Sequence, residues 1–201
     1  MPQPLEKLRL RLYNRVKRAS LDFGLLRPGD HVLACLSGGK ASYTMLSLLR
    51  QLQGRVPFEF RITAFHLDQA QPGYPVGIME SYLQDQGIAH VILREDTYSV
   101  VKEKLRPDAT PCSLCSRLRR GIIYTQARQL GCNKIALGHH RDDSLETLLL
   151  NMFHAGKMQA MPAIYTTDDG EFEVIRPLIG CAEAEIATFA ELQCYPIIPC
   201  N

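Results

Sequence analysis

Apolar positions along this chain switch between helical spacing and short continuous runs. Residues 5–21 set Leu5, Leu8, Leu12, Val16 and Ala19 along one stripe, which predicts an amphipathic helix. An Arg27-Pro28-Gly29-Asp30 turn then feeds the run His31, Val32, Leu33, Ala34, Cys35 and Leu36, which reads as a buried strand. Residues 42–52 return to helical spacing. The alternation continues with a strand at 61–67 ending at Asp68, a helix at 78–86 capped by Gly87, a strand at 90–93 and a brief helix at 100–105. A helix at 115–130 closed by Gly131, a strand at 134–137 and a helix at 142–153 follow. Asp168-Asp169-Gly170 is a turn signal between 164–167 and 171–175 and predicts a hairpin. A last helix covers 182–192.

Strands alternating with helices predict an α/β fold built on a doubly wound parallel sheet, with ligands at the carboxyl ends of the strands. The segment 37–42, Asp68 and Gly138 with His139 all fall at such ends. No repeat, low-complexity tract or long linker interrupts the pattern.

Composition narrows the class. With 201 residues, 46% hydrophobic and 22% charged, the chain matches one ordinary globular domain, or a domain with a short appendage. No apolar run is long enough to cross a bilayer, and the basic N-terminus lacks a signal peptide's apolar centre. The expectation is a cytoplasmic protein without a membrane partner, so the seven cysteines read as thiols or metal ligands. A net charge of +2 announces no polyanion binder, but the charges cluster. Lys7, Arg9, Arg11, Arg15, Lys17 and Arg18 crowd the first 18 residues, and Arg117, Arg119 and Arg120 sit beside a cysteine pair. Such patches hold phosphates, or form a solvated helix face.

Ser37-Gly38-Gly39-Lys40-Ala41-Ser42 follows the strand at 31–36. Glycines at a strand end let backbone N–H groups approach an anion, and the next helix offers its positive end. Lys40 adds a charge, and Ser37 and Ser42 add hydroxyls. The spacing is not that of a Walker A loop. It resembles the PP-loop of ATP pyrophosphatases, with one departure: Ala41 stands where that family carries Asp.

Pro111-Cys112-Ser113-Leu114-Cys115 is a C-x-x-C pair opening onto a helix. A redox pair, a zinc site and an iron–sulfur site all use such spacing, and the chain holds no second C-x-x-C. Cys200 is the obvious third thiol. Cys35, Cys132, Cys181 and Cys194 lack companion spacing and read as structural.

The stretch from Cys112 through Arg119, Arg120 and Gly121, followed by Gly138-His139-His140 and Asp142-Asp143, resembles the tRNA 2-thiocytidine synthetase family of PP-loop enzymes. Leu67-Asp68-Gln69, Ile175-Arg176-Pro177-Leu178 and Pro199-Cys200-Asn201 fit it as well. The resemblance implies the adenine nucleotide α-hydrolase-like version of the doubly wound sheet. It also implies ATP-dependent thiolation of cytidine 32 in tRNA: adenylation of the C2 oxygen, then sulfur replacement with loss of AMP. It further implies a 4Fe-4S cluster on three cysteines, sulfur from a cysteine desulfurase, and a homodimer.

On that resemblance the ATP site is Ser37, Gly38, Gly39, Lys40, Ala41, Ser42, Asp68, Gly138 and His139. Arg119, Asp142 and Asp143 are the catalytic candidates, the two aspartates as holders of Mg²⁺ or as helix N-caps. Cys112, Cys115 and Cys200 are the cluster ligands, and Arg117 and Arg120 reach for tRNA phosphates. His140 reads equally as a packed core residue. The expected division is a basic helix at 1–26 and a PP-loop domain at 27–201. Family members continue past Pro-Cys-Asn, so the chain reads as C-terminally truncated. Ala41 and that truncation together support the alternative of a non-catalytic nucleotide- or tRNA-binding remnant.

Overall fold

The computed structural model describes residues 4–104 and 111–198, the side chains of 4, 104 and 111–114 excepted. The strand read from 31–36 is β1 (His31–Leu36), with β2 (Arg61–Asp68) and β3 (His90–Arg94) on one side and β4 (Lys134–Ala136), β6 (Glu173–Ile175) and β5 (Ile164–Thr166) on the other. The order is β3-β2-β1-β4-β6-β5. Every neighbouring pair is parallel except the β5–β6 hairpin. The chain winds outward from β1 in one direction and returns to continue from β4 in the other. The gap between β1 and β4 is therefore the topological switch point, where open sheets of this kind bind ligands.

The period-2 alternation of β1 feeds two cores. Val32, Ala34 and Leu36 pack with α1 (Pro4–Asp22), α2 (Lys40–Gln53) and α7 (Glu183–Leu192). Leu33 points to the opposite face and joins Phe65, Ile135 and Val174 beneath α5 (Pro111–Gln129). The stripe Leu8, Leu12, Val16 and Ala19 of α1 is buried as its spacing requires. Part of its basic face is neutralised within the molecule: Arg11 and Arg15 both pair with Glu185 of α7.

Of the boundaries that differ from the periodicity, three stand out. Helix α5 starts at Pro111, so the cysteine pair lies inside its first turns and not ahead of it; proline suits a first helical turn, whose N–H is unpaired anyway. Helix α4 (Thr97–Lys104) begins three residues early, because Asp96 accepts the Ser99 N–H at 2.9 Å and supplies a cap. Helix α6 (Arg141–Leu150) passes into a π-helical turn at Asn151–Ala155, ended by Gly156 at φ +61°. That wider turn keeps the chain helical through Phe153 without keeping the 3.6 period. Between β2 and β3 lies α3 (Ile78–Asp85).

Candidate active site

The loop after β1 turns at Gly38, whose φ of +87° is costly for any residue with a Cβ. Gly39 starts α2 with no side chain capping it. The first N–H groups of a helix have no intrahelical acceptor, so this uncapped end faces the switch point as an anion site. Ser37 Oγ accepts the Gly39 N–H at 3.3 Å, and Ser42 donates its hydroxyl to Gly39 O at 2.8 Å. Both hydroxyls thus brace the loop. Lys40 Nζ lies 2.8 Å from Glu183. Both partners are substantially exposed, and a surface pair of this kind is weak enough to yield to a phosphate.

The second loop of the site follows β4. A Cβ on Gly138 would stand 3.2 Å from the Ser42 backbone nitrogen and 3.3 Å from the Ala41 carbonyl carbon. Gly138 therefore lets this loop lie directly on the first turn of α2. Ser42, Gly138, His139 and Asp143 share a hollow of about 360 Å³ with Ala41. A larger hollow of about 600 Å³ lies on the β2 side of the loop and takes in Gly39, Lys40, His66, Gln69 and Tyr74.

Arg119 of α5 borders both. Its guanidinium makes no hydrogen bond or ion pair among the described residues, yet it acts electrostatically on Cys35 and His66. It stands between the two hollows as an available cation. Arg117 and Arg120 are exposed on the same helix.

Cys115 Sγ is 3.0 Å from Gln69 Oε1, so this half-buried thiol meets the rim of the larger hollow. The Cys112 side chain and Cys200 lie outside the described residues. At Ile198 the chain meets the phosphate loop, its N–H donating to Gly38 O at 3.0 Å. Burial pushes the Cys35 thiol up to about 12 and the Cys181 thiol likewise to about 12, so neither offers a thiolate. Cys132 is buried too, whereas Cys194 is exposed.

The aspartate pair divides between two helix ends. Asp143 accepts the His140 N–H at 2.7 Å at the start of α6. Asp142 accepts the Glu183 N–H at 2.8 Å at the start of α7, and that hydrogen bond lowers its pKa. Among the described residues no group of three or more His, Cys, Asp or Glu side chains gathers to hold a metal. Asp68 is buried, with its carboxylate on the Ala70 N–H at 2.9 Å and 3.7 Å from Arg94. It borders neither hollow.

Residues 10–195 match the PP-loop domain family. The chain belongs to that family. Similar curated relatives include the tRNA-cytidine(32) 2-sulfurtransferase of Erwinia tasmaniensis, 56% identical over 197 residues. The match covers 98% of this chain and 64% of that protein. The enzyme of the same name from Cupriavidus metallidurans is 55% identical over 195 residues, covering 97% of this chain and 62% of that protein. The chain thus spans less than two thirds of these relatives' length. Among solved structures, a U34-tRNA thiolase from Methanococcus maripaludis, with its 4Fe-4S cluster, superposes with TM-score 0.75 at 23% identity. That match covers 98% of this chain and 67% of the thiolase. An NH3-dependent NAD synthetase from Campylobacter jejuni gives 0.55 at 15% identity, covering 96% and 75%. Both share the fold of this PP-loop chain.

The PP-loop cleft also contains residues that sequence patterns leave unmarked. His66 donates from Nδ1 to Leu36 O at 2.9 Å and accepts the Tyr74 hydroxyl at Nε2. Burial lowers its pKa and keeps it neutral. No spacing rule marks a lone histidine inside a strand. His140 is buried, in keeping with its reading as a packed residue.

Proposed function

We propose that this PP-loop domain carries out the thiolation of cytidine 32 in tRNA, using ATP to activate the base. The observation that carries the reading is the approach of Cys115 to Gln69: a thiol of the C-x-x-C pair stands on the same cleft as Gly39 and Lys40. Relatives of the same printed name over nearly the whole chain support it.

An unactivated pyrimidine carbonyl has no good leaving group. The cytosine O2 attacks the α-phosphorus of ATP, the bond to the bridging oxygen breaks, and pyrophosphate leaves. Hydrosulfide then adds at C2, the C2–O bond breaks with AMP departing on its former oxygen, and the proton passes to solvent. Gly38, Gly39, Lys40 and the uncapped end of α2 hold the departing pyrophosphate through preorganised donors. Arg119 stabilises charge on the α-phosphate and the reacting ring. Arg117 and Arg120 take phosphates of the RNA.

Thiol donors suit an iron–sulfur cluster, and Cys115 is the proposed ligand whose side chain is among the described residues. Cys115 is on the cleft rim, and Cys112 precedes it by three residues on the same helix. Cys200 is the proposed third ligand. When bound, such a cluster supplies an iron that carries sulfide. A cysteine desulfurase as sulfur source, a homodimer, and the division into a basic helix at 1–26 and a PP-loop domain at 27–201 belong to the same proposal. The two aspartates are committed to helix N-termini, so no step is assigned to Mg²⁺.

The test is anaerobic reconstitution with iron and sulfide, then incubation with ATP and unmodified tRNA. Formation of 2-thiocytidine is the expected result, and ATP and tRNA binding without product would sink the reading. Cys115→Ser is expected to lower bound iron and product together while ATP affinity is retained. Ala41→Asp introduces the carboxylate found in other PP-loops and is expected to raise turnover.

A further inference from the structure

A third hollow, of about 360 Å³, opens between α5 and the strands β4, β6 and β5. It meets the hollow beside Ser42 at four shared residues, Arg119, Ile123, Leu137 and His139. Its floor is apolar, formed in part by Ile135 and Val174, while Tyr124, Tyr165, Arg120 and Arg176 stand around it. Its volume falls in the range of small-ligand pockets.

Two buried polar atoms here have no hydrogen-bond partner among the described residues. Arg176 is only 8% exposed; its Nη1 donates to Pro162 O at 2.6 Å, but Nε is unpaired. His139 Nδ1 is unpaired as well. Leaving buried polar groups unmet costs about 1–3 kcal/mol each, so a fold that keeps two beside one hollow points to a ligand that meets them. The Arg176 guanidinium lies 5.1 Å from the Tyr165 ring centroid, which holds both planes in place. Aromatic rings, guanidinium planes and an apolar floor are the means by which proteins receive an unstacked base. Arg120, exposed at the mouth, suits the adjoining phosphodiester.

Resting on the function proposed above, we propose that this hollow receives the target pyrimidine nucleotide, turned out of its RNA loop, with the base edge on Arg176 and His139. Cytosine presents an acceptor, N3, beside one donor, its N4 amine. Arg176 offers a donor to N3, which leaves O2 turned toward Arg119 and the PP-loop cleft, where it attacks ATP. Burial, reinforced by the charge of Arg176, lowers the pKa of His139, and a neutral imidazole has an accepting nitrogen for the amine. Uracil would present N3–H to a guanidinium that can only donate. The site therefore selects cytosine, and Arg119 stands where the hollow meets the PP-loop cleft.

The test uses an anticodon stem-loop RNA with 5-iodocytidine at the target position, cross-linked by light to the unaltered, ATP-loaded chain. The expected adduct maps to Tyr124 or Tyr165. An adduct on 66–74, across the cleft, would overturn the assignment, and because no residue is altered, folding is not in question. In a second arm, pyrrolo-cytidine at that position reports base capture by fluorescence. Arg176→Gln and Tyr165→Leu are expected to weaken capture by about 5- to 100-fold, the scale of one lost base contact, with ATP affinity held within about twofold. A matching loss of ATP affinity would assign the hollow to the base of ATP and overturn the proposal. Equal affinity for a stem-loop carrying uridine would also count against it. If the unaltered chain binds neither ATP nor RNA, the thiolation reading falls too. If it binds both and cross-links elsewhere, only the role of this hollow falls.

Discussion

The Ile198 N–H donates to the Gly38 carbonyl at 3.0 Å, and a Cβ on Gly38 would stand 3.0 Å from the Cβ of Ile198. The segment after α7 therefore closes on the PP-loop at Gly38, where no side chain stands in the way. Gly38→Ala meets two obstacles, the positive φ and this contact, and is expected to destabilise the fold by about 1–3 kcal/mol. ATP affinity, measured by titration calorimetry, should fall in parallel. Ile198→Gly in the same chain removes the clashing Cβ but not the positive φ, so recovery should be partial; full recovery would show that the backbone angle carries no strain.

Gly138→Ala tests the contact between the two loops. Its neighbours are backbone atoms of Ala41 and Ser42, which cannot rotate away as a side chain would. The two loops must separate by a few tenths of an ångström. The expected outcome is a raised KM for ATP with a modest fall in Tm, because the displaced atoms belong to the anion-binding turn. An unchanged KM would argue that the β4 loop does not shape the site.

Acid should weaken the fold through its buried histidines. Burial lowers the pKa of His31, His66 and His139 below the ordinary value of 6.5. The unfolded chain then binds more protons than the folded one as pH falls through 6.5, so the stability these groups contribute is complete above that value and lost below it. Urea midpoints measured between about pH 7.5 and 5.5 should decline, and His66→Gln should flatten the decline. A slope unaffected by that change would locate the proton uptake elsewhere.

Far from the cleft, Lys134 is fully buried, 2.5 Å from Glu173 and 3.6 Å from Asp30. Asp30 also accepts the Arg27 N–H at 2.6 Å and the Asn133 amide at 2.7 Å. Lys134→Met leaves buried Asp30 without its cation and Glu173 with only the exposed Arg27, 3.5 Å away, and is expected to cost about 3–5 kcal/mol. In protein that still folds, ATP affinity should be unaltered, since the network lies at the amino ends of β1 and β4. Urea unfolding checks the first expectation and calorimetry the second.

Much of the fold was legible in local pattern. β1 matched its apolar run because its alternate side chains enter the two cores on either face of the sheet, and the Asp168-Asp169-Gly170 turn marked the β5–β6 hairpin. The π-helical turn at Asn151–Ala155 was not legible, because one widened turn leaves no periodic trace in five residues. At the site, glycine spacing marked the PP-loop and the cysteine spacing marked the rim of its cleft. The matched relatives give no sign of the non-catalytic alternative that Ala41 and the expected truncation suggested.

The chain's own periodicity and turn residues determined which segments become strand, loop and helix, because those choices depend on neighbours a few positions away. Tertiary structure alone decided which polar groups are free to act. Asp142 is committed by the Glu183 N–H, 41 residues on, and Asp68 by its own loop and Arg94, whereas Arg119 is unpaired among the described residues and stands between hollows. Availability for chemistry depends on partners supplied by distant segments, and no spacing rule along the chain encodes them.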